Sequence, residues 1–239
     1  MLFRQLLDFG TCAYTYLIAD EHTQEAILID PVLAQAERDL RLLTELGLRL
    51  VHCLETHVHS QYPSGASRLR QMTGCSTIVP AYAVASCANR AIHTGEQLRL
   101  GTVAIEAIAT PGHTDHHLAY LVNGDRLLTG DSLLIRGCGR TDLEGGDPGR
   151  MHHSVTHILF RLPHRTWVYP GHDYRGNNKS TIGDEKRWNP RFAGQTKESF
   201  REYMTQVELP SPDAMMEAMP NYSQPIRRPR KPVTAQLSV

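Results

Sequence analysis

The chain has 239 residues and a formal net charge of zero, so it is long enough to bury a substantial core and carries no strongly basic or acidic surface. Nucleic acid is therefore not an expected partner. No apolar run approaches the roughly 20 residues of a transmembrane helix, and no membrane association is expected. The amino terminus lacks a long apolar core and is predicted to form a first strand rather than a targeting peptide.

The cysteines predict a reducing environment. Their number is odd, and no two of them form a CxxC pair, which argues against a disulfide framework. The five are Cys12, Cys53, Cys75, Cys87 and Cys138. We therefore expect free thiols and a cytoplasmic location.

Hydrophobic patterning predicts short strands that alternate with helices. Strands are expected at 14–18, 25–29, 48–54, 76–80 and 166–169, with hairpins over 98–109 and 118–128. Helices are expected at 33–46, 65–73 and 150–162, from apolar spacing and glycine stops. The segment 81–92 fits neither pattern clearly.

This order of elements indicates an α+β fold. Strands dominate both halves of the chain, and helices lie between them, as in an αβ/βα sandwich of two mixed sheets with helices outside. We expect one domain over 1–221 that includes a helical cap from about residue 181. The Pro- and Arg-rich segment 222–239 is expected to be a flexible basic tail.

Polar residues follow several of the predicted strands, mostly beside glycine. His57 and His59 follow one strand, His113 and His172 each follow a Pro-Gly turn, and Asp131 follows Thr-Gly. His57, His113 and Asp131 together offer two imidazoles and one carboxylate. Such a set suits a mononuclear iron(II) ion, although zinc also binds it. The ligands alone therefore leave the choice of metal open.

These blocks resemble a known family. The motifs THVH, TPGHT, TGD and YPGHDY are similar to those of the metallo-β-lactamase superfamily, and GDSLLIRGCGRTD resembles its glutathione persulfide dioxygenase branch. The resemblance implies the four-layer sandwich, one Fe(II) per chain, oxidation of glutathione persulfide by O2 to sulfite and glutathione, and a homodimer. It also implies that His57, His113 and Asp131 are the iron ligands, with His59 and His172 beside them.

One motif departs from the superfamily pattern THxHxDH. Gln61 and Tyr62 occupy the Asp and second His positions, which bind the second metal in hydrolases such as hydroxyacylglutathione hydrolase. Two metals position the attacking water in such hydrolases, so the departure opposes hydrolysis. We expect Gln61 and Tyr62 to lie next to the iron ligands. A thioester hydrolase and an inactive persulfide-binding relative remain as alternatives.

Glutathione carries two carboxylates, and arginine binds carboxylate bidentately. Arg140 lies inside the most specific block and is the first choice for substrate binding, with an ion pair to Asp142 as the alternative role. Tyr174 and Arg175 follow His172 and are expected to border the same pocket.

Overall fold

The computed structural model describes residues 1–81, 83 and 88–207. Its first sheet holds strands in sequence order: β1 (Leu2–Asp8), β2 (Ala13–Asp20), β3 (Glu25–Ile29), β4 (Arg49–Leu54), β5 (Ser76–Pro80) and β6 (Arg90–Ile92). β1, β2 and β3 pair antiparallel, whereas β3 to β6 pair parallel. The carboxyl ends of β3 to β6 therefore lie at one edge of the sheet.

The second sheet is mixed as well. Its strands are β7 (Gln97–Leu100), β8 (Val103–Ala109), β9 (Leu118–Val122), β10 (Arg126–Gly130), β11 (Trp167–Pro170) and β12 (Ser180–Thr181). Only the pairing of β10 with β11 is parallel within the described strands of this sheet. β8, β10 and β11 consequently end at the same edge.

Helices cover the outer face of each sheet. They are α1 (Ala36–Glu45), α2 (Ala66–Thr73), α3 (Pro148–His153), α4 (Ile182–Trp188) and α5 (Lys197–Gln206). One buried apolar cluster lies between the two sheets, a second lies between β2–β4 and helices α1 and α2, and a third lies between the second sheet and α3–α5. The predicted αβ/βα sandwich is therefore confirmed.

The structure differs from the sequence prediction in detail. The expected helix at 150–162 begins earlier, at Pro148, because the Asp147 side chain accepts a hydrogen bond from the Arg150 amide as an N-cap. It then continues as a π turn (Ser154–Ile158) and a 3-10 turn (Leu159–Arg161). The short strands β6 and β12 were not predicted. The expected tail at 222–239 and the end of the cap lie outside the described residues.

Two buried tyrosines join the sheets where the functional loops begin. The Tyr16 hydroxyl, from the first sheet, donates to the Pro170 carbonyl at 2.5 Å. The Tyr120 hydroxyl, from the second sheet, donates to the Glu55 carbonyl at 2.8 Å. These bonds fix the strand ends just before Thr56 and Gly171.

In the part of the chain that the structure describes, no helix has the length and apolar character needed to cross a membrane.

Candidate metal centre

Three buried side chains from three loops converge at the shared edge of the two sheets. His57 follows β4, His113 follows β8 and Asp131 follows β10. One ligand atom from each of them lies within 4.8 Å of the others. The Nε2 atom of His113 is 3.6 Å from Oδ2 of Asp131. The structure thus brings together the three residues that the sequence predicts as metal ligands.

A chain of hydrogen bonds orients the His57 ring. The Thr56 amide and hydroxyl donate to the two carboxylate oxygens of Asp30, at 2.7 and 2.8 Å. Because the hydroxyl proton is used there, Thr56 Oγ1 accepts from His57 Nδ1 at 2.9 Å. This leaves Nε2 of His57 as a buried nitrogen with no hydrogen-bond partner. Burial, and then the neighbouring histidines, hold the pKa of His57 well below its ordinary value, so the ring is neutral as a metal ligand must be.

This arrangement predicts a large effect for a change that preserves shape. Thr56→Val keeps the side-chain volume but removes the hydroxyl between Asp30 and His57. Because partners that orient a metal-binding histidine are typically worth 10–100-fold in metal affinity, we expect a loss of about that size. Chelator competition measures it. Thr56→Ser retains the hydroxyl and should bind metal as the wild type does; equal affinity in Thr56→Val would contradict the role assigned to this bond.

A backbone carbonyl orients the His113 ring. Its Nδ1 lies 2.8 Å from the Arg140 carbonyl oxygen, which can only accept, so the proton is on Nδ1. The lone pair of Nε2 then points toward Asp131. Burial lowers the pKa of His113 even though the Asp131 carboxylate acts in the opposite direction. The ring is therefore neutral, with its free nitrogen on the side of the other two candidate ligands.

Asp131 is held by two histidines. His172 Nδ1 donates to Oδ1 of Asp131 at 2.7 Å. His117 Nε2 accepts from the Asp131 amide at 3.1 Å, and its Nδ1 bonds Thr110 Oγ1 at 2.8 Å. Burial by itself raises the pKa of Asp131, but the attraction to His172 and the hydrogen bond from it outweigh burial and hold the pKa below its ordinary value. The carboxylate is ionised, and Oδ2 stays on the side of His113.

His59 packs against His57, with ring centroids 4.2 Å apart, but its Nε2 atom faces two carboxylates outside the three candidate ligands. Its Nε2 atom lies 3.2 Å from a Glu55 carboxylate oxygen and 3.3 Å from one of Asp30. The Tyr62 ring stacks on it with centroids 4.5 Å apart. Gln61 lines the adjacent cleft, and its Oε1 atom is buried without a hydrogen-bond partner. Tyr62 therefore lies beside His59 and His172, and Gln61 lies in the cleft that Asp131 lines.

A cleft of about 440 Å³ opens beside Asp131, one of the three candidate ligands. Its polar inner end contains Asp131, His172 and Gln61, and its walls come from the loops after β10 and β11 and from the segment before α5. Among the described residues, four arginines line it: Arg136, Arg140, Arg175 and Arg191. Arg136 is paired with Glu185 and Arg140 with Asp142, which leaves Arg175 and Arg191 to suit a ligand with more than one negative charge.

The three predicted substrate-binding residues all line this cleft. Arg140 also forms a bidentate ion pair with Asp142, with both N–O distances at 2.7 Å, which is the structural alternative expected for it. The Tyr174 ring lies parallel to the His172 ring, with centroids 5.9 Å apart. Arg175 is exposed at the cleft wall.

The sequence prediction missed Arg191. Its guanidinium lies over the Tyr203 ring, 4.4 Å from the centroid, and its Nη1 atom is buried with no hydrogen-bond partner. A buried guanidinium nitrogen that lines a cleft and lacks an acceptor is ready to bind an anionic group. The motif Asn189-Pro190-Arg191 carries no metal or catalytic signal by itself, so only the folded chain identifies this residue.

Comparison with known proteins identifies the family. The model of the metallo-beta-lactamase superfamily matches residues 13–172. The Homo sapiens protein named persulfide dioxygenase ETHE1, mitochondrial, is 40% identical over 222 residues, or 92% of this chain and 87% of that protein. The crystal structure of ETHE1 from Myxococcus xanthus is 46% identical with a TM-score of 0.87, and the match covers 92% of this chain and 96% of that one.

Similarity to a hydrolase is weaker. The hydroxyacylglutathione hydrolase of Polaromonas sp. is 34% identical over 170 residues, which are 69% of this chain and 64% of that protein. The match to persulfide dioxygenases is longer and closer, so the comparisons do not support the alternative of a thioester hydrolase. The chain belongs to the persulfide dioxygenase branch of the metallo-β-lactamase superfamily.

Proposed function

We propose that the protein is an iron(II)-dependent dioxygenase that oxidises glutathione persulfide with O2 and water to sulfite and glutathione. The convergence of three buried ligand atoms within 4.8 Å, next to an arginine-lined cleft, is the observation that carries this proposal. The similarity to proteins named persulfide dioxygenase supports the reaction class.

The donor set fits one divalent metal ion. His57 Nε2 is a buried nitrogen without a hydrogen-bond partner, His113 Nε2 lies 3.6 Å from Asp131 Oδ2, and that carboxylate supplies a negative charge. Two imidazoles and one carboxylate leave coordination positions free, as non-haem iron(II) oxygenases require. When bound, iron(II) would supply the redox chemistry between the persulfide sulfur and dioxygen. The protein's own groups hold the ligands and bind the substrate.

A single metal is favoured by the neighbouring residues. His59, Glu55 and Asp30 form a separate group of possible ligand atoms, but His59 Nε2 already faces both carboxylates and the Tyr62 ring covers His59. Gln61 has a neutral amide at a position where a second cation would need a negative ligand. Of the remaining groups, His172 Nε2 is buried without a partner, and its Nδ1 proton is held by Asp131. We therefore assign His172 to orienting Asp131.

The cleft residues bind the glutathione part of the substrate in this proposal. Its two carboxylates need cationic partners, and Arg191 has a buried nitrogen available for one of them. Arg140 and Arg175 lie on the walls of the same cleft, and Tyr174 adds an aromatic face. Holding the peptide in this way presents the persulfide group to the inner end, where Asp131 lies.

Arg191→Met tests the substrate contact while it retains the length of the side chain. A hydrogen bond to a charged group is worth about 1.5–3 kcal/mol, so we expect KM for glutathione persulfide to rise by about 10–100-fold. The value of kcat should stay unchanged, because the contact is equally strong in ground and transition states. Arg187→Met is the matched control, since Arg187 lies over the Trp188 ring on α4 and does not line the cleft. Unchanged KM in Arg191→Met would remove Arg191 from the binding site.

Metal identity and count test the function directly. The purified protein should contain about one iron per chain and consume O2 when glutathione persulfide is added anaerobically and oxygen is then admitted. Two zinc ions per chain with cleavage of glutathione thioesters would instead indicate a hydrolase. Absence of both metal and oxygen uptake after anaerobic iron loading would indicate a binding protein without activity.

The proposal also includes a cytoplasmic location and a dimeric assembly. None of the four cysteines that the structure describes forms a disulfide, which supports a reducing compartment such as the cytoplasm. We propose a homodimer, as the family resemblance implies. Light scattering of the purified protein at micromolar concentration tests the dimer.

A further inference from the structure

Two cysteines far apart in sequence meet on the outer side of the first sheet. Cys53 lies near the end of β4, and Cys75 directly precedes β5, the parallel neighbour of β4. Their sulfur atoms are 3.7 Å apart, and both residues belong to the apolar cluster between β2–β4 and helices α1 and α2. A disulfide bond is about 2.0 Å long, so a shift of less than about 2 Å in total would close the pair.

The two thiols are not equivalent. The hydrogen bond with Cys53 is the largest influence on Cys75 and lowers the pKa of its thiol, whereas the same contact and burial raise the pKa of Cys53. Cys75 is itself buried, with 4% of its surface exposed, but it follows the exposed turn Thr73-Gly74, whereas Cys53 has no exposed surface. Cys75 is therefore the thiol nearer to solvent, and Cys53 is the thiol placed to react after it.

We propose that Cys53 and Cys75 form a redox-active thiol pair that glutathione persulfide oxidises to a disulfide. The Cys75 thiolate attacks the outer sulfur of the persulfide, and the bond between the two persulfide sulfurs breaks to release glutathione. Cys53 then attacks the inner sulfur of the new Cys75 persulfide and releases hydrogen sulfide. One persulfide and two thiols thus give one disulfide, one glutathione and one hydrogen sulfide, with the persulfide as the two-electron oxidant.

The pair is separate from the metal centre. Cys53 and Cys75 face α1 and α2, whereas His57, His113 and Asp131 lie at the edge where the sheets meet. The choice of oxidant rests on the proposed function, but the oxidation of the pair needs neither O2 nor the metal. Anaerobic treatment therefore tests the thiol pair separately from the proposed dioxygenase function. Failure of disulfide formation would count against the thiol pair, and failure of oxygen uptake would count against the dioxygenase.

The experiment treats the full-length protein with one equivalent of glutathione persulfide under anaerobic conditions, alkylates the remaining thiols and digests without reductant. We expect a disulfide between tryptic peptides 50–68 and 71–90, whose joint mass is two hydrogens less than the sum of the two reduced peptides. Three cysteines per chain should be alkylated. One glutathione and one hydrogen sulfide should be released per chain. Dithiothreitol should reverse it. Five alkylated cysteines per chain, or a persulfide on Cys75 without a link to Cys53, would overturn the proposal.

Two variants assign the bond. Peptide 71–90 contains both Cys75 and Cys87, so Cys75→Ser should abolish the link and Cys87→Ser should retain it. Because Cys75 lies next to an exposed turn, its serine variant is the safer test if Cys53→Ser fails to fold. A link that persists in Cys75→Ser would show that a different pair reacts and would also overturn the proposal.

Discussion

Replacing His113 with alanine is expected to remove bound iron and dioxygenase turnover together. In the proposed centre the His113 ring supplies Nε2 as a ligand, and its Nδ1 bonds the Arg140 carbonyl. Since orienting contacts alone are worth 10–100-fold in metal affinity, loss of a ligand should cost at least about a hundredfold. Iron content after dialysis and oxygen uptake at saturating persulfide measure the two effects. Full turnover with retained iron would contradict the assignment.

Control variants separate ligand loss from misfolding. His153→Ala removes an exposed histidine at the end of α3 and should leave iron content and turnover unchanged. Asp131→Asn retains the shape of a second ligand but removes its charge, and it should also lose iron. If the metal-free wild type and both ligand variants melt at similar temperatures, the loss of activity is due to the metal centre and not to unfolding.

Much of the candidate centre could be predicted, because each candidate ligand comes shortly after a strand in the sequence. His57, His113 and Asp131 each follow a strand that is identified by its apolar residues, and strand ends on one edge of a sandwich meet in space. Local glycines also mark the turns. These signals are short-range, so the amino-acid sequence alone carries them.

Contacts that form only across the fold could not be predicted. Arg191 reaches the cleft from a segment 60 residues after Asp131, and no periodicity relates the two. His117 supports the Asp131 amide across two loops. The strands β6 and β12 have three and two residues, too few for an alternating pattern, and they exist only because a longer neighbouring strand pairs with them.

Gly139→Ala is expected to disrupt the centre without removing a ligand or a charge. A Cβ atom at Gly139 would lie 2.4 Å from the Asp131 carbonyl oxygen, 2.9 Å from Asp131 Cβ and 3.0 Å from His113 Nδ1. The Gly139 amide also donates to that carbonyl at 2.8 Å, so the loop cannot move away without breaking the bond. We expect overpacking to cost about 1–3 kcal/mol of stability. Iron affinity should fall by about 10–100-fold, because two ligands shift together.

Gly137→Ala is the matched control, two residues earlier in the same loop. Its Cβ would meet only Leu134 Cβ, at 3.8 Å, which is an ordinary contact, and its backbone is not in the left-handed region. The two variants make the same chemical change on either side of Cys138, so any general effect of alanine on the loop is shared. Iron affinity should fall only in Gly139→Ala. Equal affinity in both variants would mean that the loop can move away from the Asp131 and His113 side chains, and that close packing of Gly139 does not set the geometry of the centre.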